Sequence, residues 1–475
     1  MAAWHYRGPK MHTPLSLLRP VALALGLIPL GLAALPAQDA AAAHPAEPLH
    51  AVIDAVFAAP WDAAPLAAAR LFLVENDTHC ADLERTLRAG MTHYPEPPQP
   101  RGVLTKNLPL PCDHVDHETK YWIYVPKSYD STKATPVLLV VHGGSATRDL
   151  AFGARAARAG IEPFWVEEAE QRGWLLVAPL TDRGWMWIGN SILFSALSRV
   201  QREYHVDPDR VYLTGHSMGG HMTWRSAFQF PDRFAAVSPM SGGYDYVKSK
   251  DVTNLLNVPG YTTFGTEEPY QINEFNKIIG GWMKEHRYPW TCQEKPGGHT
   301  IFVEEVPKIG QFFADHPRDL YRPSLFVRMG LQPMQFLTAD KNEGWGKEHQ
   351  WNAERPIAAS TVHWLRCFPR EAAARPEQRA MMISAQDLGA NHFELVSENA
   401  RKVRIYLHPK MVDFGKPVVV MANGEKVFDA KVTPSAATML ELAREFDDRG
   451  RIFWAAIDVE IATDRPPGEP FGPKQ

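Results

Sequence analysis

Residues 215 to 220 read Gly-His-Ser-Met-Gly-Gly and follow Arg210-Val211-Tyr212-Leu213-Thr214, a run with the pattern of a buried strand. The chain therefore passes from strand to helix through a turn of very few residues, with helix expected from about His221. A serine at the centre of such a joint sits on a strained turn that lifts its Oγ clear of the sheet. Gly215 and Gly219 carry no Cβ, so strand and helix can approach closely on either side of it. The helix N-terminus beneath Ser217 offers free backbone N–H groups to developing negative charge. This combination restricts the fold to a sheet with helices packed against it. It also marks Ser217 as a candidate nucleophile.

Two further pieces fall where a serine nucleophile needs them. Pro136 to Val141 is a continuous apolar run, the mark of a central parallel strand, and His142-Gly143-Gly144 follows it. A Gly-rich turn there supplies an oxyanion donor, so the backbone N–H groups of Gly144 and Met218 are the expected pair. Downstream, Gly297-Gly298-His299-Thr300 provides a pliant loop carrying an imidazole, and His299 is the expected general base. His142, His216 and His221 are expected to serve packing and local hydrogen bonds. The acid is expected just after the strand that ends at Gly265, in Thr266-Glu267-Glu268-Pro269. A carboxylate there would take the Nδ1–H of His299. Glu268 is the choice, with Glu267 as the alternative.

Residues from about 118 to 315 resemble an α/β-hydrolase of the polyhydroxybutyrate depolymerase and feruloyl esterase type. The matching text is Tyr121 to Pro126, His142-Gly143-Gly144, Val206 to Tyr212, Gly215 to Gly220, Met240-Ser241-Gly242-Gly243 and Gly297 to Thr300. The resemblance implies a mostly parallel central sheet and a Ser-His-acid triad. Two departures stand out. Glu replaces the Asp usual in that family, and Gly144 stands where secreted depolymerases often carry a cysteine after His-Gly.

The chain has 475 residues, of which 45% are hydrophobic and 22% charged, enough for a large core and a second domain. The net charge of −4 and the lack of a basic stripe argue against nucleic acid as a partner. Arg7, Lys10 and Arg19 precede an apolar stretch from Val21 to Leu35, and Pro36-Ala37 follows. This reads as an export signal over 1–37, with a periplasmic or extracellular destination and no stable membrane insertion once it is removed. In such a compartment four cysteines suggest disulfides. Three pairings are possible, and Cys80–Cys112 with Cys292–Cys367 is the expected one. Cys112-Asp113-His114 with His117 fits no trusted zinc spacing and reads as a polar hairpin.

The organisation expected is a linker and small helical segment over 38–100, an α/β catalytic domain over 101–324, and a C-terminal β-sandwich-like domain over 325–467. The helical segment is clearest at Leu66–Val74 and Asp82–Leu87 and is expected to pack on the hydrolase domain. In the catalytic domain, strands are expected at 121–126, 136–141, 174–179, 210–214, 234–238 and 260–264. The loop after the third of these carries Trp185 and Trp187, read either as a substrate wall or as core closure. In the β-rich region, strands are expected at Ala359–Leu365, Phe393–Val396, Val403–Leu407, Val418–Met421, Lys426–Phe428 and Phe453–Val459. Asn423-Gly424 signals a type I′ hairpin.

The expected activity is cleavage of a carboxylic ester, small or polymeric, through an acyl-enzyme and with no cofactor or metal. A peptidase of the prolyl-oligopeptidase type shares the triad but usually has a propeller first, and roughly 80 residues are too few for one. A non-catalytic binding protein on the same scaffold is the alternative from another class. A fluorophosphonate probe separates it from an enzyme.

Overall fold

A computed structural model describes residues 46–462 apart from 60–61, 113–118, 145–149, 182–183, 186–188, 244–248, 330–360 and 369–380. The expected export signal and Trp187 lie outside the described residues, as do Asp113, His114 and His117. The chain opens with α1 (Ala46–Ala58), α2 (Ala63–Glu75) and α3 (Cys80–Arg88). Asp62 caps α2 by accepting the Ala64 N–H at 2.9 Å. In α1 the buried residues Leu49, Ile53, Val56 and Phe57 recur at helical spacing and face the other two helices.

The central part then runs β1 (Leu104–Pro109), β2 (Lys120–Tyr124), β3 (Thr135–Val141), α4 (Leu150–Gly160), α5 (Glu162–Arg172), β4 (Leu175–Leu180), α6 (Gly189–Glu203), β5 (Val206–His216) and α7 (Met218–Gln229). It continues with β6 (Ala236–Met240), β7 (Gly260–Gly265), α8 (Tyr270–Glu285), β8 (Trp290–Lys295) and α9 (Val306–Asp315). The strands form one sheet in the order β1-β2-β4-β3-β5-β6-β7-β8. β1, β2 and β4 pair antiparallel, and every pairing from β4 onward through β3 to β8 is parallel. This is the sheet of an α/β-hydrolase.

Strand alternation explains why helices cover both faces. Val137, Leu139 and Val141 of β3 join one core with Ile192 and Leu197 of α6 and Met222 of α7. Leu138 and Val140 point the other way, into a core with Trp165 of α5 and Phe313 of α9. Such strands read as largely apolar runs, β3 and β4 most clearly, and the six expected ones are all present. The edge strands β1 and β8 were not expected, because Leu-Thr-Lys-Asn-Leu-Pro and Trp-Thr-Cys-Gln-Glu-Lys lack that signal.

The C-terminal part comprises β9 (Ser324–Met329), β10 (Thr361–Val362), β11 (Leu365–Cys367), β12 (Met381–Asp387), β13 (His392–Glu398), β14 (Lys402–Leu407), β15 (Val418–Ala422), β16 (Glu425–Ala430), α10 (Ala436–Glu445) and β17 (Ala455–Glu460). Two sheets, β10-β11-β14-β17 and β16-β15-β13-β12-β9, enclose one apolar core. Asn423 and Gly424 both have positive φ, 48° and 86°, as a type I′ turn requires. The strand expected at Ala359–Leu365 is instead two short strands, because His363 at φ 53° turns the chain.

Two expectations are corrected here. The N-terminal helices share their core with Met439, Leu440 and Ala443 of α10, so their main apolar contact is the C-terminal part and not the sheet. The four cysteines are free thiols. Cys80 belongs to the N-terminal helical core and Cys367 to the sandwich core, while Cys112 and Cys292 sit at the margin of the core beneath the sheet. A cluster of buried charges joins the parts. Arg318 makes a bidentate pair with Asp448 at 2.6 and 3.0 Å and also reaches Asp209 of β5. Arg451 bonds Asp232 at 2.6 Å, and the His363 N–H donates to the same carboxylate at 2.8 Å.

Candidate active site

The register of β3 against β5 pairs Val141 with Gly215, so the His142 turn and the Ser217 turn leave the sheet side by side. Ser217 has φ 58° and ψ −117°, a conformation that costs a non-glycine residue of order 1–3 kcal/mol. Its backbone holds that geometry from both sides: its N–H donates to Met240 O at 3.0 Å, and its carbonyl accepts the His221 N–H at 2.9 Å. A Cβ on Gly219 would run into the Val141 carbonyl oxygen, and one on Gly215 would lie 2.6 Å from Val141 Cγ2. Both positions therefore require glycine for the close approach foreseen in the sequence.

His299 arrives on the loop after β8, which is clasped to the loop after β7. The Glu267 N–H donates to Gly297 O at 2.8 Å, and the Gly297 N–H donates to Thr266 Oγ1 at 3.2 Å. His299 Nε2 lies 2.7 Å from Ser217 Oγ, and its Nδ1 lies 2.6 Å from Glu268 Oε2. The Glu268 side chain is fully enclosed and the His299 side chain is 36% exposed. Glu267 is exposed and takes part through its backbone alone. Burial works against ionisation of Glu268, but hydrogen bonds from His299 and Ser241 outweigh it and hold the carboxyl below its usual range.

Ser241 was missed as a site residue, although its tetrapeptide Met240-Ser241-Gly242-Gly243 had stood out. It is fully buried and has φ 45°, and its Oγ lies 3.1 Å from Thr300 O. Its signal was a serine in a Gly-rich strand exit. The His216 ring packs 4.9 Å from that of His299, and burial pushes it down to about 4, so it stays neutral beside the relay. Gly144 has φ 124° and lies under the Phe152 ring of α4, another contact that no local pattern announces.

Of the two readings of Trp185, the substrate wall is the one that falls. It is 2% exposed and belongs to the core beneath the sheet, and its indole N–H donates to His142 O at 2.8 Å. It closes the core under the loop and offers no face to a substrate. The energetic reason is that a buried indole both removes a large apolar area from water and finds an acceptor for its N–H.

Residues 113–361 match the Esterase family, more than half of the chain. The "Bifunctional acetylxylan esterase/xylanase XynS20E" of Neocallimastix patriciarum is 25% identical over 210 residues, which cover 41% of this chain and 29% of that protein. The "Probable feruloyl esterase C" of Aspergillus terreus is 28% identical over 130 residues, 26% of this chain and 46% of that protein. The chain thus spans less than half the length of either relative. A solved thermostable esterase is 19% identical, with a TM-score of 0.38, over 45% of this chain and 63% of its own. On the family match and the sheet topology together, the chain belongs to the Esterase family and has the α/β-hydrolase fold.

Proposed function

We propose that the protein is an exported serine hydrolase that cleaves carboxylic esters. The observation that carries this reading is the unbroken hydrogen-bonded chain Ser217–His299–Glu268, with separations of 2.7 and 2.6 Å. His299 Nε2 takes the Ser217 proton as Oγ attacks the ester carbonyl carbon. Glu268 accepts the Nδ1–H, fixes the tautomer and stabilises the imidazolium. The tetrahedral oxyanion is held by the N–H groups of Gly144 and Met218. Met218 opens α7, so its N–H has no acceptor within the helix. Collapse expels the alcohol, which leaves with the proton held on His299. Water, deprotonated by His299, then releases the acid from the acyl-enzyme.

Export rests on the residue pattern over 1–37; among the described residues no helix is long and apolar enough to cross a membrane. The relatives' names direct the choice of substrates toward acetyl and feruloyl esters. A fluorophosphonate probe should label Ser217, and Ser217→Ala should lower kcat on p-nitrophenyl acetate by about 10⁴- to 10⁶-fold with the fold intact. Wild-type turnover in the purified variant would remove Ser217 from the mechanism. Preference for a peptide amide over the ester would move the protein to the peptidases.

A further inference from the structure

His142 has no place in the proton relay, yet its surroundings specify it closely. The side chain is 2% exposed, and both ring nitrogens are engaged. The Thr181 backbone N–H donates to Nε2 at 3.2 Å. A backbone amide can only donate, so Nε2 is the unprotonated nitrogen. Nδ1 therefore carries the proton and donates it to Gly143 O at 2.8 Å. Burial pushes His142 down to about 4, so the ring remains neutral, with one donor and one acceptor, at neutral pH.

A peptide unit is planar and trans, so its C=O and N–H point in opposite directions. Anchoring Gly143 O on His142 turns the N–H of the same unit, that of Gly144, away from the His142 ring. The ring is itself braced. Trp185 donates to His142 O and packs on the imidazole with centroids 4.9 Å apart, and Arg225 Nη1 holds Trp185 O at 3.0 Å. On the other side, α4 comes so close that a Cβ on Gly153 would lie 2.7 Å from Thr181 O and 3.2 Å from His142 Nε2. We infer that His142, fixed in its Nδ1–H tautomer by Thr181, is a positioning residue that sets the Gly143–Gly144 peptide with the Gly144 N–H facing the oxyanion. This rests on the proposed reading of Gly144 as an oxyanion donor.

The test uses the full chain with p-nitrophenyl acetate and a trifluoromethyl ketone, whose hemiketal oxygen occupies the oxyanion position. The wild-type protein must first bind the ketone and react with fluorophosphonate; if it does neither, the proposed function fails and not this inference alone. His142→Leu removes both hydrogen bonds. It should lower kcat and weaken ketone binding by a similar factor, about 10²-fold, with KM nearly unchanged. His142→Asn keeps an N–H near the Nδ1 position and should recover activity to within about tenfold of wild type. A folded Leu variant with wild-type kcat, a loss confined to KM, or an Asn variant no better than Leu would overturn the assignment. If the Leu variant does not fold, His142→Gln replaces it, since its amide reaches toward Thr181 but not Gly143. Asn should then be faster than Gln, and the reverse order refutes the inference.

Discussion

The active-site loops and the buried charge cluster at the seam both set a buried carboxylate against a basic side chain, but they are built in opposite ways. At the seam, Arg451 with Asp232 and Arg318 with Asp448 are at most 3% exposed and carry permanent charges. In the site, Glu268 is enclosed while its partner His299 is partly open to solvent. Ser217 is held at positive φ by backbone bonds and by glycines beside it. The contrast separates two costs. The site spends backbone strain on geometry, so changes there should cost rate. The seam spends desolvation on docking, so changes there should cost stability.

The largest effect separating the two should come from the adjacent glutamates. Glu268→Gln should reduce kcat by about 10³- to 10⁴-fold with little change in melting temperature, because the imidazolium loses its partner. Glu267→Gln, on an exposed side chain, should change kcat by less than roughly tenfold. Steady-state kinetics on both variants decides it, and a reversed order would make Glu267 the acid.

At the seam the pattern should invert. Asp232→Ala leaves the Arg451 guanidinium and the His363 N–H without their partner, and should destabilise the fold by about 3–5 kcal/mol. Activity of the protein that remains folded should stay within about twofold of wild type, since the change lies outside the relay. Urea unfolding and kcat on the same sample measure both. A loss of kcat without a loss of stability would erase the distinction between the regions.

A pH effect spans both. Burial pushes His142 and His216 down to about 4 and His363 down to about 3. Unfolded histidines titrate near 6.5, so the unfolded chain binds more protons between these values. Stability should therefore be full above about pH 6.5 and decline as pH falls toward 4. The seam carboxylates run on a lower window. Burial opposes the ionisation of Asp232 and Asp448, but Arg451 and Arg318 outweigh it and hold both below the usual range, so their contribution fades only in stronger acid. A denaturation midpoint that stays flat from pH 7 to 4.5 would show that these imidazoles are not held neutral.

What was legible in the sequence was what local chemistry encodes. The Ser217 turn and the Gly-Gly-His loop are short patterns whose residue types are dictated by backbone geometry, and both were found. Glu268 and Glu267 look alike in a sequence, because the difference is burial against the loop after β8. Trp185 reads the same whether it faces a substrate or the core. The parallel pairing of β13 with β15 is a long-range choice with no local mark. α10 did have a signal, Ser435 as its cap with Met439, Leu440 and Ala443 at helical spacing, but it lay hidden among strands. The cysteine pairs failed because an even count says nothing of distance.

The core shared by α1, α2, α3 and α10 joins segments that lie far apart in the chain. Glu84 of α3 accepts from the Trp454 indole at 2.7 Å across 370 residues, and Asp54 of α1 meets Arg449 at 2.9 Å across 395. At about 5–20 residues per second, synthesis separates these partners by roughly 20–75 s. Segments near the two ends of the described chain thus fasten to each other like a clasp.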